Sequence, residues 1–134
     1  MDIYAQNILD HYKNPRNQGK IVHANAKHFE TNTLCGDSIG VSAKIEKNIV
    51  QKIQFTGEGC AISQAAISIL SEHIKGKNIS VILKLGSKEM QDLLGVEVTQ
   101  RRMKCALLGL LSVQNAILGH QKKLFRSWAD FMEE

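Results

Sequence analysis

The chain has 134 residues, of which 43% are hydrophobic and 22% charged, and 17 Lys and Arg against 13 Asp and Glu give it a net charge of +4. This length predicts a single domain over residues 1–134 with enough buried surface for its own core. The basic residues are scattered, and the four Phe, two Tyr and one Trp do not alternate with them. We therefore expect no nucleic-acid partner, because such partners need a basic surface and a stacking platform.

The chain also lacks the sequence features of membrane and secreted proteins. Its longest apolar stretch, CALLGLL at 105–111, is far shorter than the about 20 residues that span a bilayer. The start, MDIYAQNILDHYK, has neither the basic residues nor the apolar run of a signal peptide. We expect a soluble cytoplasmic protein with no membrane partner, in which three cysteines are reactive or metal-bound rather than paired.

The first predicted element is a helix over residues 2–13. It must end near Asn14, because Pro15 disfavours the helical conformation in the residue before it. The apolar residues of this segment recur at helical spacing: Ile3, Tyr4, Ile8, Leu9 and Tyr12.

Strand spacing follows. Residues 38–46 alternate between apolar and polar side chains, and a returning strand carries Ile49, Ile53 and Phe55 on one face. The sequence KNIV at 47–50 predicts the turn between them, and a weaker alternation predicts another strand around 26–33.

Helical spacing returns after residue 60. One apolar stripe runs from Ile62 to Ile74 and is ended by Gly76, and residues 79–94 predict one or two short helices. A loop, GVEVTQ, then precedes a strongly apolar helix from Arg101 to Leu118, and the tail at 120–134 predicts an extra amphipathic helix. The order of elements predicts an α+β fold, in which a small antiparallel three-stranded sheet packs against helices.

Each of the three cysteines is predicted at the end of an element. Cys35 lies in the turn before the second strand, and Gly36 permits a tight bend that brings Cys35 and Asp37 toward one ion. Cys60 precedes a helix, whose free N–H groups favour a thiolate. Cys105 begins the last long helix, where Arg101 and Arg102 favour the thiolate through their charge.

Three thiolates and one carboxylate form a donor set that suits tetrahedral zinc, or iron with bridging sulfide. The cysteines are too far apart in the sequence for a zinc finger, so the fold itself must assemble such a site. Three unrelated buried thiols remain an alternative to a shared site.

Two other patterns in the sequence are less informative. GEGCAI at 57–62 lacks the third glycine of a dinucleotide-binding fingerprint, and no parallel βαβ unit follows it. The five histidines show no telling spacing to a cysteine, and we expect them to be solvated or capping residues: His11, His23, His28, His73 and His120.

Five ordered segments resemble the NifU N-terminal domain family, which includes the IscU and SufU branches of iron–sulfur cluster assembly proteins. The resemblance covers residues 2 to about 119 and rests on DHYKNPRNQG at 10–19, CGD at 35–37, GEGCAIS at 57–63, IKGK at 74–77 and RMKC at 102–105.

The SufU branch is the more similar of the two. The IscU branch carries a His before the third cysteine, where this chain has Lys104, and a Leu-Pro-Pro chaperone motif, where it has GVEVTQRR. The insertion usual in SufU before the third cysteine is absent, which leaves the IscU-like alternative open.

The resemblance implies that Cys35, Asp37, Cys60 and Cys105 bind a metal or cluster, with Arg102 steadying an anionic sulfur. It implies a SufS-like cysteine desulfurase and recipient apo iron–sulfur proteins or a scaffold as partners. A SufU-like protein would be a zinc-dependent sulfurtransferase whose acceptor we expect to be Cys35. An IscU-like scaffold would assemble a [2Fe–2S] cluster from iron and sulfur, with Cys105 as the stronger acceptor.

Overall fold

The computed structural model describes residues 3–132 and has the α+β architecture that the sequence predicts. Three antiparallel strands form one sheet in the order β1-β2-β3. The elements in chain order are α1 Ile3–Lys13, β1 Ala26–Asn32, β2 Asp37–Glu46, β3 Ile49–Glu58, α2 Ala61–Ile74, α3 Ile79–Leu83, α4 Ser87–Leu94, a 3₁₀ turn Gln100–Arg102, α5 Met103–His120 and α6 Trp128–Met132. No helix in residues 3–132 has the length and apolarity needed to cross a bilayer.

The predicted strand alternation is confirmed, because β2 has its apolar side chains on the covered face of the sheet. Ile39, Val41, Ala43 and Ile45 are all buried. A two-residue turn joins β2 to β3, and Lys47 and Asn48 both have positive φ, at 52° and 63°. Such values match the right-handed twist of the flanking strands, which is why Asn-containing turns favour tight hairpins.

The helix α5 lies at the centre of the molecule. It packs against β1 and β2 on one side and α2 on another, and every residue from Cys105 to Leu118 is buried. Gly109 lets α2 approach closely, because a side-chain carbon at this position would meet Ile67. The helix begins and ends two residues later than the predicted Arg101–Leu118. At its start the 3₁₀ turn occupies residues 100–102.

The N-terminal helix docks through polar contacts as well as through Ile8, which packs against the core. Its predicted apolar residues Ile3 and Tyr4 are largely exposed, whereas His11 is buried. His11 Nδ1 lies 2.7 Å from Ser68 Oγ on α2, and its Nε2 lies 3.6 Å from Glu72 Oε1. The expectation that the histidines are solvated or capping residues is therefore wrong for His11.

The C-terminal tail is less helical than predicted. Residues 121–127 are not helical, and α6 comprises only Trp128–Met132; residues 133–134 lie outside the described part of the chain. Phe131 is nevertheless buried in the core. The Arg126 guanidinium donates from Nη1 to the buried Gln114 Oε1 at 2.7 Å, so the tail is fastened to α5.

Candidate metal centre

Cys35 lies on the turn between β1 and β2, where its thiol is exposed. The backbone N–H groups of Cys35 and Gly36 both donate to the Asn32 carbonyl, at 3.2 and 2.9 Å. Gly36 has a φ of 72°, which a residue without a β-carbon adopts without steric cost. The turn therefore holds an accessible thiol at the end of the hairpin.

Asp37 is the first residue of β2 and is only 2% exposed. Its Oδ1 accepts the backbone N–H of Cys60 at 3.0 Å, and its Oδ2 lies 3.7 Å from Cys60 Sγ. The carboxylate occupies the space that a β-carbon on Gly59 would fill, and Gly59 has a φ of 137°. The chain leading into α2 is thus shaped around this carboxylate.

Cys60 is the residue immediately before α2 and is half-buried. Its Sγ lies 3.8 Å from Ser63 Oγ, whose hydroxyl donates to the Cys60 carbonyl at 3.0 Å. Ser63 is itself fully buried. These contacts fix the thiol at the start of α2, facing Asp37.

Cys105 is in the first turn of α5 and is 2% exposed. Its thiol donates toward Cys35 Sγ at 3.4 Å, and the Asn32 side-chain amide lies 3.9 Å away. Burial, followed by hydrogen bonds with Cys35 and Asp37, raises the pKa of the Cys105 thiol. In the metal-free protein this shift opposes the thiolate that the sequence analysis expects at Cys105, because desolvation disfavours the charged form.

Three of the four predicted ligands converge on one point, and the fourth, Cys60, contacts one of them. Ligand atoms of Cys35, Asp37 and Cys105 all lie within 4.8 Å of one another, and Cys60 joins them through Asp37. Ligand atoms around tetrahedral zinc are about 3.8 Å apart for zinc–sulfur bonds of about 2.3 Å. The Cys35–Cys105 and Cys60–Asp37 separations of 3.4 and 3.7 Å are close to this value, whereas Cys60 lies outside the group of three ligands within 4.8 Å.

Two basic residues that precede Cys105 in the sequence lie in different surroundings. Arg102 is exposed in the 3₁₀ turn, and its guanidinium makes no hydrogen bond or ion pair with the four predicted ligands in the described structure. The Lys104 ammonium lies 5.6 Å from the centre of the Trp128 ring, and the Trp128 indole N–H donates to the Thr31 carbonyl at 3.1 Å.

Three residues beside the centre are not predicted from the sequence to lie there. Asn32 and Ser63 contact the thiols, and Trp128 contacts the neighbours of two site residues. Ser63 follows Cys60 by three residues, which is about one helical turn, so the sequence does indicate that the two side chains are neighbours. Asn32 and Trp128 meet the centre through long-range packing, for which the local sequence gives no signal.

Comparison with known proteins identifies the same family as the sequence motifs do. The family model described as the NifU-like N terminal domain matches residues 3–127. The zinc-dependent sulfurtransferase SufU of Bacillus subtilis is 35% identical over 132 residues, covering 86% of this chain and 89% of that protein. The iron–sulfur cluster assembly scaffold protein IscU 1 of Archaeoglobus fulgidus is 32% identical over 121 residues, covering 90% and 78%.

Solved structures share the fold. The scaffold protein FiSufU, described as putative, from Fervidobacterium islandicum superposes with a TM-score of 0.74 at 24% identity, covering 84% of this chain and 94% of that one. A NifU-like N-terminal structure from Brucella abortus gives a TM-score of 0.73 at 21% identity, covering 91% and 96%. These two likenesses establish the architecture of the chain.

Proposed function

Because the chain belongs to the NifU-like N-terminal domain family and is an iron–sulfur cluster assembly protein, we propose that it accepts sulfur from a cysteine desulfurase with zinc bound. The observation that carries this proposal is the convergence of Cys35, Asp37 and Cys105 within 4.8 Å, with Cys60 in contact with Asp37. Three soft sulfurs and one oxygen suit zinc. The similarity to a zinc-dependent sulfurtransferase supports the same metal.

Zinc, when bound by these four residues, would keep the thiolates deprotonated and apart. The fold makes the three thiols differ in their exposure to solvent and to a partner. Cys35 is exposed on a turn, whereas Cys105 is buried and Cys60 half-buried. We therefore assign Cys35 as the first sulfur acceptor, because only an accessible thiolate can reach the persulfide of a partner.

The transfer step is a thiol exchange that needs no added oxidant or reductant. The Cys35 thiolate attacks the outer sulfur of the desulfurase persulfide, and a new sulfur–sulfur bond forms as the partner's sulfur–sulfur bond breaks. The partner cysteine leaves as a thiolate, and Cys35 carries the persulfide. The Arg102 guanidinium, exposed one turn before Cys105, would steady this anion by its charge.

A second candidate is a scaffold that assembles and hands over a [2Fe–2S] cluster to apo iron–sulfur proteins. It is favoured by the similarity to IscU over 90% of this chain. Asp37 would then supply a hard oxygen among soft sulfurs, which gives the cluster one weak corner for release. Three unpaired cysteines suit a reducing compartment, so we place either activity in the cytoplasm.

The test combines metal analysis with a desulfurase assay. We expect stoichiometric zinc in the purified protein and a higher desulfurase turnover when the protein is added. Cys35→Ala should lose most of this stimulation. Leu34→Ala is the matched control, because Leu34 is on the same turn and 79% exposed.

Two results would change the assignment. A Cys35→Ala protein that stimulated as well as the wild type would exclude Cys35 as the acceptor. Cluster absorption after addition of iron and sulfide, without any rise in desulfurase turnover, would favour the scaffold.

A further inference from the structure

Asn32 is a buried polar residue at the edge of the metal centre. It is the last residue of β1, is 3% exposed and pairs directly with Asp37 across the hairpin. Directly opposed residues of an antiparallel pair project from the same face of the sheet. The Asn32 and Asp37 side chains are therefore neighbours, and a buried amide requires hydrogen-bond partners of its own.

Asn32 contacts both cysteines of the Cys35–Cys105 pair, Cys35 through the backbone and Cys105 through its side chain. The backbone carbonyl of Asn32 accepts the backbone N–H groups of Cys35 and Gly36, and so sets the turn on which the Cys35 thiol is placed. Its side-chain Nδ2 lies 3.9 Å from Cys105 Sγ, and the two Sγ atoms are 3.4 Å apart. One residue thus fixes the position of the exposed thiol and offers a proton donor to the buried one.

We propose that Asn32 is a positioning residue of this centre, whose amide N–H holds Cys105 Sγ in place as an anionic donor. Hydrogen bonds to metal-bound groups orient them and tune the metal, and N–H donors to sulfur alter the electron density that the sulfur gives up. An amide suits this role because a carboxylate would repel a thiolate and an apolar side chain offers no donor. The effect on metal binding rests on the proposed function, whereas the hydrogen bond itself does not.

Two substitutions of similar shape separate the donor from the packing. Asn32→Leu keeps the branching of the side chain and removes all polarity, while Asn32→Asp keeps a polar oxygen and removes the N–H donor. We expect both variants to bind cobalt(II) about tenfold more weakly in a chelator competition. Both should also displace the thiolate-to-cobalt charge-transfer band, which a role in stability alone would not move.

Asn115→Ala is the matched control, because Asn115 is a fully buried amide on α5 that bonds Arg126 and Glu30. It should lower stability and leave the cobalt affinity and band unchanged. Wild-type cobalt affinity and an undisplaced band in either Asn32→Leu or Asn32→Asp would overturn the proposal.

The hydrogen bond is tested separately in the metal-free protein. The ¹⁵N–¹H signals of the Asn32 side-chain amide should shift in Cys105→Ala and not in Cys60→Ala. Signals unchanged by Cys105→Ala would overturn the inference. A wild-type protein that bound no zinc or cobalt would instead overturn the proposed function, and these amide signals would still decide the hydrogen bond.

Discussion

The Asp37 carboxylate lies directly against the α-carbon of Gly59, in the volume that a β-carbon would occupy. This relationship joins the start of β2 to the residue before Cys60. It explains why a glycine at this junction matters for the centre even though it offers no ligand atom.

We predict that Gly59→Ala displaces Asp37 and lowers zinc affinity by tenfold or more. The added methyl group overlaps Asp37 Oδ1, and the φ of 137° strains any residue with a β-carbon. Zinc affinity measured against a chromophoric chelator tests this expectation.

Gly76→Ala is the control for the strain alone. Gly76 also has a positive φ, at 85°, but a β-carbon there meets no atom within 4 Å. It should lose some stability and keep its zinc affinity. Equal zinc affinity in Gly59→Ala and the wild type would contradict the steric argument.

Zinc binding is expected to stabilise the fold, because the proposed ligands come from the β1–β2 turn, the start of α2 and the start of α5. Free zinc at about 100 times its dissociation constant adds about 2.7 kcal/mol. Calorimetry should therefore show a lower unfolding temperature after treatment with a chelator. A Cys35→Ala, Cys105→Ala double variant should respond much less to the chelator, and an equal response would place the stabilising zinc elsewhere.

The stability of the metal-free protein should fall as the pH is lowered below about 6.5, the unperturbed pKa of histidine. Burial, followed by the positive charge of Arg16, lowers the pKa of His11 in the folded state, against the opposite effect of Glu72. The unfolded chain therefore binds more protons in this window, and the free energy of unfolding decreases toward acid. His73 has its pKa lowered by burial as well, so part of the slope belongs to it.

Urea unfolding of His11→Asn at pH 8 and pH 5.5 measures the contribution of His11. This variant should show a smaller difference between the two pH values than the wild type. His23→Asn is the control, since His23 is exposed in the segment before β1. An unchanged difference in His11→Asn would show that His11 does not carry the effect.

Phe131→Ala should destabilise the protein by about 3 kcal/mol, the lower end for removing a buried phenylalanine. Phe131 is 4% exposed although α6 is only five residues long. Leu124→Ala is the control, because Leu124 is 93% exposed and its removal should change little. Comparable urea midpoints for the two variants would mean that α6 adds nothing to the core.

The sequence predicted the elements that have one face buried. The alternation from Ile39 to Ile45 identified β2, because the covered face of the sheet selects apolar residues at every second position. It was less informative for β1, where Lys27 and Phe29 lie on the uncovered face and are exposed. The local sequence does not indicate that His11 is buried, because its partner Ser68 is 57 residues away.

In the candidate site, too, the features with a local sequence signature were predicted and the long-range contacts were not. The glycines beside Cys35 and Cys60, and the Asp two positions after Cys35, pointed to the centre because turns and helix starts have local signatures. The contact of Asn32 with Cys105 spans 73 residues and depends on how α5 packs against β1. The pKa of Cys105 likewise follows from burial in the folded chain, which the charges of Arg101 and Arg102 in the sequence did not indicate.

Trp128 is the only tryptophan of the chain, and it touches Thr31 and Lys104, which immediately precede Asn32 and Cys105. Its fluorescence emission therefore reports on the surroundings of Asn32 and Cys105 in the unlabelled protein. Excitation at the red edge of the indole band would follow metal or partner binding in real time, with no dye attached to the cysteines.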